Sequence, residues 1–301
     1  MRRILVPLDG TPESESILDE VVRIDLPDST MDLLHVIPHL HSAASDSPAV
    51  DLNLEKAAEM YLDGVSRRVP SQRVRTWIWR GDAGEEITRA ATTLKSDLIA
   101  MCTHARSSLS HLLLGSVTEA VVRESFLPVL LVRPKLESPA LPLRRILVAI
   151  DGTDPSRHLV DSVRLIAKGK SPEIVFFHVV VPLIITDPVT GFTPVGIPQP
   201  PPDPVPALRE DAEKLSSEGY RTRVEVVNGG AADQILTCAK SLSADLIVVG
   251  TSARQGLSHF FLGSVADEII RHADRPVLVQ RLVPAVGART HESGRHSQEA
   301  D

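Results

Sequence analysis

Only two cysteines, Cys102 and Cys238, occur in the 301 residues, aromatics make up 3%, and positive charge is outnumbered, giving a net charge of -7. Two thiols make no disulfide framework, so stability has to come from buried aliphatic side chains. The acidic balance leaves no basic footprint for nucleic acid or an anionic membrane surface. The longest apolar run, Ile174 to Ile185, is broken by His178 and Pro182, and it falls short of the roughly 20 residues that a bilayer-spanning helix needs. The opening segment Met1-Arg-Arg-Ile-Leu-Val-Pro-Leu-Asp9 ends its apolar stretch too early for a signal-peptide core. Neither a membrane nor a nucleic acid is expected as a partner, and a cytoplasmic location is expected. Dinucleotide fingerprints of the form Gly-x-Gly-x-x-Gly, nucleophile elbows and recurring acid/base pairs are also missing.

What the chain does contain is a duplication. Arg3-Ile-Leu-Val-Pro-Leu-Asp9-Gly10-Thr11 returns as Arg145-Ile-Leu-Val-Ala-Ile-Asp151-Gly152-Thr153, and the stretch from Asp97 to Val132 returns from Asp245 to Gln280 at a constant offset of 148. Such a unit is too long for a solenoid repeat of roughly 20 to 50 residues and large enough to be a domain. The expected organisation is a first domain at 1–137, a linker at 138–143 within the proline-bearing Pro134–Leu143 stretch, a second domain at 144–283, and a disordered tail at 284–301.

Each half alternates short β-branched runs with longer amphipathic segments, the pattern of a parallel sheet with crossover helices. Strands are predicted at Ile4–Leu8, Asp32–Ile37, Val74–Trp79, Asp97–Cys102 and Val129–Val132, and again at Ile146–Ile150, Glu173–Val180, Arg223–Val227, Asp245–Gly250 and Val277–Gln280. Helical spacing marks Ser14–Ile24, Leu54–Arg68, Gly84–Leu94 and Ser116–Arg123. The fold class is α/β: two tandem doubly wound domains, each a five-stranded parallel sheet with helices on both faces. The final strand of each sheet would be an exposed edge, and pairing Val129–Val132 antiparallel with Val277–Gln280 would remove both edges as an internal pseudo-dimer. Pro182–Pro206, with nine prolines, reads either as a stiff surface loop or as a lid or partner-docking segment.

Ligands of open α/β sheets bind beyond the carboxyl ends of the strands. After the fourth strand the first half reads Cys102-Thr-His-Ala105-Arg106 and, further on, Gly115-Ser116-Val117; the second reads Gly250-Thr-Ser-Ala253-Arg254 and then Gly263-Ser264-Val265. A small residue, two residues, another small residue, nine residues, then Gly-Ser opening a helix can place backbone N–H groups and a hydroxyl around a phosphate. Ser116-Val-Thr-Glu119 also fits a capping box and Ser264-Val-Ala-Asp267 a close variant, so Gly-Ser could start a helix with or without an anion. Arg106 and Arg254 could reach phosphates or only solvate a loop. His35, His39 and His41 cluster, but Pro38 breaks any helical face and no carboxylate or cysteine sits at ligand spacing, so no metal is expected.

Taken together, Ile-Leu-Val-x-x-Asp-Gly at both starts, Leu33-Leu-His-Val36 and Phe176-Phe-His-Val179, Leu112-Leu-Leu-Gly-Ser-Val117, and the closing Pro128-Val-Leu-Leu-Val-Arg133 and Pro276-Val-Leu-Val-Gln-Arg281 resemble the universal stress protein family in its tandem-domain form. The resemblance implies an adenine-nucleotide-binding stress-response regulator without catalysis, in which Gly, two residues, Gly, nine residues, Gly-Ser/Thr holds the phosphates. On that pattern Asp9 with Gly10, and Asp151 with Gly152, would contact the nucleoside, and the ends of the second strands at Val36 and Val179 would help to hold base and ribose. ATP is the implied ligand, with AMP or a cyclic nucleotide left open and Mg2+ only as a companion of ATP; a partner protein and a homodimer are further implied. The pattern is departed from at Cys102 and at Ala105 and Ala253, each costing on the order of 1 kcal/mol if those positions need positive φ. The second half, which keeps Gly250, is therefore expected to be the better site. The alternative is a nucleotide-free scaffold acting through protein contacts.

Overall fold

The computed structural model describes residues 2–24, 29–39, 48–70, 73–103, 114–134, 142–151, 157–181, 203, 205–252 and 263–282. In the first half the strands are β1 (Arg2–Pro7), β2 (Ser29–Ile37), β3 (Val74–Arg80), β4 (Leu98–Cys102) and β5 (Val129–Val132). They alternate with helices α1 (Pro12–Glu15), α2 (Ile17–Ile24), α3 (Pro48–Ser66), α4 (Ala83–Thr93) and α5 (Ser116–Glu124). The second half supplies β6 (Arg145–Ala149), β7 (Glu173–Val180), β8 (Arg221–Asn228), β9 (Leu246–Ser252) and β10 (Val277–Leu282), with α6 (Arg157–Ala167), α7 (Val205–Ser217), α8 (Ala231–Ser241) and α9 (Ser264–His272). No described helix is long and apolar enough to cross a membrane.

Within each half all neighbouring strands are parallel, as expected of runs that are apolar on both faces. The halves join through β5 and β10, antiparallel, with Val277 opposite Leu131, Leu278 opposite Leu130 and Val279 opposite Val129. The result is one ten-stranded sheet in the order β3-β2-β1-β4-β5-β10-β9-β6-β7-β8. Each face carries one apolar cluster running through both halves: Ile4, Leu98 and Leu130 share theirs with Ile146, Val248 and Leu278, and Leu5, Ile99 and Leu131 share the other with Leu147, Ile247 and Val279. Leu143, expected in the linker, is 3% exposed and part of the first of these clusters.

Polar contacts lock the seam. Arg133 and Arg281, which follow the same motif in the two last strands, reach across reciprocally: Arg133 Nη1 donates to the carbonyl of Ala273, just past α9 (3.2 Å), and Arg281 Nη1 to that of Glu124, the last residue of α5 (3.4 Å). Each guanidinium thus meets the partial negative charge at a helix C-terminus. Gln280 is buried at the junction, its amide nitrogen donating to the carbonyls of Phe126 and Arg281 (3.0 Å each) while its oxygen accepts from Ser162 Oγ at 3.1 Å. A buried amide is tolerated there because its donors and acceptor are occupied.

Two sequence expectations need correction. Ser14–Ile24 is two helices, not one, interrupted at Ser16, whose hydroxyl bonds the Glu13 carbonyl (2.8 Å) and approaches the Cys102 thiol at 3.0 Å. Pro182–Pro206 is expected to be loop throughout, since proline breaks a helix interior, but Val205 and Pro206 form the first turn of α7, where proline's missing N–H has no helical partner to lose. Asp203 accepts from the Val205 N–H (3.0 Å) at that start, and the rest of the segment lies outside the described residues.

Gln280→Val, which installs the residue found at the matching position Val132, removes the hydrogen bonds of Gln280 to the Ser162 hydroxyl and the Phe126 carbonyl. It is expected to lower stability in urea unfolding by about 1–3 kcal/mol, and Ser162→Ala should cost less in the Gln280→Val background than alone.

Candidate functional site

Strand order reverses direction of winding between β1 and β4 in the first half and between β6 and β9 in the second, so the crevices lie at the carboxyl ends of these strands. In the first half the β1 end turns at Asp9-Gly10-Thr11. Asp9 Oδ1 accepts from the Thr11 N–H (3.0 Å) and from Thr11 Oγ1 (2.6 Å), and Thr11 Oγ1 accepts in turn from the Ser14 N–H (3.2 Å), capping α1. Gly10 has φ +88° with nothing within 4 Å of where a Cβ would stand; the backbone conformation, not crowding, calls for glycine there.

A cavity of about 330 Å³ opens beside this turn, lined by Gly10, His35, Ile37, Pro38, Ala58 and Tyr61 among others. His35 and Ile37 face it because side chains alternate along β2. Val36, between them, packs instead against the cluster on the other face, as Val179 does in the second half. The expected contributions of Val36 and Val179 are therefore limited to their backbone. His35 Nδ1 lies 2.8 Å from the Leu8 carbonyl, and His178 Nδ1 lies 2.8 Å from that of Ile150. Tyr61 meets the His35 ring edge-on at 5.9 Å. Its hydroxyl is buried beside Ser14 and Glu15 without a well-formed hydrogen bond to either, and burial together with the Glu15 and Asp9 carboxylates pushes its pKa up to about 12.

Cys102 does not face the crevice at the strand ends. Its side chain is 4% exposed, buried in the apolar cluster next to Val132 and Ile17 with Sγ beside Ser16 Oγ, and burial raises the thiol to about 11. Gly250 is explained by packing as well: its φ is not positive, and a Cβ would press on Leu282 Cδ1 and stand 2.8 Å from Leu282 Cγ. The difference between Cys102 and Gly250 thus reflects neighbours on the sheet, not positive φ, and the argument for a better second half loses that support.

The helices following β4 and β9 begin on Gly115 (φ -64°, ψ 144°) and Gly263 (φ -38°, ψ 140°), neither with a side-chain cap. The capping-box expectation is corrected here: Ser116 and Ser264 are the first helical residues, with exposed hydroxyls, and glycine occupies the N-cap. By contrast, α1 and α4 are capped by Thr11 and Asp82 side chains. A bare start is not sufficient for a site, since α8 also begins uncapped on Gly230; α5 and α9 differ in standing after the strands that border the crevices. A Cβ on Gly263 would meet nothing within 4 Å, so neither φ nor a neighbour requires glycine there. Val117 and Val265 are half-buried against the core. Asp151 ends the described part of its loop; Gly152, Ala105, Arg106, Ala253 and Arg254 lie outside the described residues. No group of three His, Cys, Asp or Glu suited to a metal occurs among the described residues.

His35, Ile37 and Tyr61 were not anticipated as pocket residues. The alternation of β2 could have flagged the first two, because the Leu-Leu-His-Val motif places His35 on the face opposite Val36.

A duplicated doubly wound α/β module, with a cavity at the strand ends of its first half, defines the class of fold. The universal stress protein family model matches residues 1–133 and 142–281, and the chain belongs to that family. Universal stress protein YxiE of Bacillus subtilis is 31% identical over 147 residues, which cover 46% of this chain and 98% of that protein. Universal stress protein MJ0531 of Methanocaldococcus jannaschii is 31% identical over 137 residues, covering 45% and 81%. A solved universal stress protein from Archaeoglobus fulgidus has the same fold over both halves, with a TM-score of 0.71 at 22% identity, covering 93% of this chain and 98% of that one.

Two outcomes test this geometry. Gly250→Ala is expected to cost about 1–3 kcal/mol through overpacking, with part recovered by adding Leu282→Ala; an unchanged urea midpoint would return Gly250 to the ligand. Cys102 and Tyr61 keep their protons in the folded chain to about pH 11 and 12, against ordinary values of 9.0 and 10.0. From about pH 9 upward the unfolded chain therefore binds fewer protons, and stability falls with rising pH. Cys102→Ala should make that fall shallower between pH 9 and 11.

Proposed function

We propose that this universal stress protein is a non-catalytic adenine-nucleotide-binding regulator, in which ATP bound at the strand ends shifts the surrounding loops and so a surface read by a partner protein. The observation that carries this reading is the first-half cavity beside the Asp9–Thr11 turn, large enough for a nucleobase and shared with the half in which α5 starts uncapped on Gly115-Ser116. Apolar walls with a few polar groups suit a nucleoside, and uncapped N–H groups at a helix start suit a phosphate. Asp9 is engaged by Thr11 in holding the turn, which suits a binding group better than a general base.

The expected advantage of the second half is not carried forward, because Gly250 answers to Leu282. The first half is the site that the described geometry supports; Gly263, with open space above it, keeps a second site in play. Mg2+ enters only as a companion of the phosphates. The scaffold alternative retains one argument, the alanines at 105 and 253 where the family pattern has glycine.

Calorimetric titration of ATP into the full chain tests the reading. Binding by the wild type is expected, with Gly115→Val weakening it at least about tenfold, or 1.4 kcal/mol, while Gly263→Val leaves a binding event. An absence of heat at millimolar ATP would sink the nucleotide reading in favour of the scaffold.

A further inference from the structure

We propose that the open edge of β3 is a docking surface for a second copy of this chain, the two β3 strands pairing antiparallel about Trp77 into a closed dimer. The inference does not depend on the nucleotide reading.

Joining the halves through β5 and β10 removes two edges of the sheet and leaves two at its ends, β3 and β8. The bonds of β3 to β2 fix which way its backbone groups point. The Arg73 carbonyl accepts from the Met31 N–H (2.9 Å) and the Gly81 N–H donates to the Ile37 carbonyl (3.1 Å), so odd-numbered residues face β2. By alternation Val74, Thr76, Ile78 and Arg80 turn N–H and C=O toward the open side. Those of Thr76 and Ile78 meet no partner among the described residues. Neither proline nor glycine interrupts Val74–Arg80, and such a row is a template for pairing. Leu52 adds apolar surface beside it. That side chain is 53% exposed and stands one turn before Glu55, whose carboxylate reaches Arg80 of β3 at 3.5 Å, so it lies on the side of α3 that borders the edge.

A second copy is the occupant because β3 is complementary to itself. Centred on Trp77, the antiparallel register pairs every outward residue of the strand, with Thr76 opposite the partner's Ile78 and Val74 opposite the partner's Arg80. Between them Arg75 meets the partner's Trp79, and no two like charges stand directly opposite. The other edge fails the same test. In β8 the Gly229 N–H donates to the Val180 carbonyl of β7 (3.1 Å), so Thr222, Val224, Val226 and Asn228 face outward. The register that pairs all of these sets Glu225 against the partner's Glu225, and like charges directly opposite are destabilising. Every shifted register leaves one end of β8 without a strand opposite. Two identical edges meeting about a twofold axis close the assembly at a dimer, whereas β3 against β8 would propagate head to tail into a filament.

Sedimentation equilibrium on the full chain tests this. The wild type is expected to be a dimer that dissociates to monomer on dilution. Thr76→Pro deletes an outward N–H that no described residue uses, at an edge position where proline is tolerated. It should weaken association at least about tenfold and leave the urea midpoint, measured where both proteins are monomeric, unchanged. Thr76→Lys keeps the N–H but sets a charge against the partner's Ile78, and is expected to weaken the dimer even if proline disturbs the fold. Val226→Pro, the matching change on β8, should leave the dimer intact. A wild type that stays monomeric at high micromolar concentration, or a dimer that survives both Thr76 substitutions, overturns the proposal. So does association beyond the dimer that Val226→Pro abolishes, which assigns the contact to β3 against β8.

Discussion

Antiparallel pairing of β5 with β10 is the constraint on which the rest of the molecule depends. A parallel five-stranded sheet ends in an edge whose N–H and C=O groups invite pairing with other chains. Here the two edges satisfy each other through Val129–Leu131 and Val277–Val279. The consequence reaches beyond six residues. Because the strands are continuous across the seam, the helices on each face pack over one shared apolar layer, and residues as far apart in sequence as Leu5 and Val279 belong to a single cluster. Arg133 and Arg281 then fix the seam from either side, each at the end of the other half's helix. Gly250 shows how far the arrangement extends toward the site: its missing Cβ leaves the space that Leu282, on the seam strand β10, fills.

Most of this architecture was legible in the sequence because it is written in period and repetition. Ten apolar runs announced ten strands, and the duplicated edge strand announced the seam. What period cannot report is local interruption. The break at Ser16 arises where a serine hydroxyl satisfies the Glu13 carbonyl and meets the Cys102 thiol, 86 residues away, a tertiary contact that no window of the first helix contains. Leu143 was assigned to a linker for its proline neighbours, yet its side chain belongs to the core; composition describes a segment, and burial is decided residue by residue.

The turns and helix starts of the candidate site were legible in the sequence; side-chain directions were not. Motif spacing located the crevice, the Asp9-Gly10-Thr11 turn and the glycine-led starts of α5 and α9. It could not say which way a side chain points. The resemblance implies that Val36 helps to hold base and ribose, but alternation turns its side chain to the opposite face and leaves His35 and Ile37 toward the cavity. Ser116 and Ser264 matched a capping pattern by residue type, but the cap belongs to the preceding glycine. In each case geometry set by a neighbouring position decided where the side chain points.

A duplicated chain also offers an internal control on motif reading. Where the halves differ, the difference has to be explained by what surrounds each copy before it is charged to ligand. At the first small position Cys102 packs its thiol toward α1 and α2, while Gly250 yields its space to Leu282; residue 134, the counterpart of Leu282, is proline, so the leucine that excludes a Cβ at Gly250 has no equivalent in the first half. The two halves therefore differ in what packs beside the small position, Leu282 in the second half and no leucine in the first, and not only in the small residue itself. Where the halves agree despite different surroundings, as at His35 with Leu8 and His178 with Ile150, the retained geometry carries more information than the motif letters do.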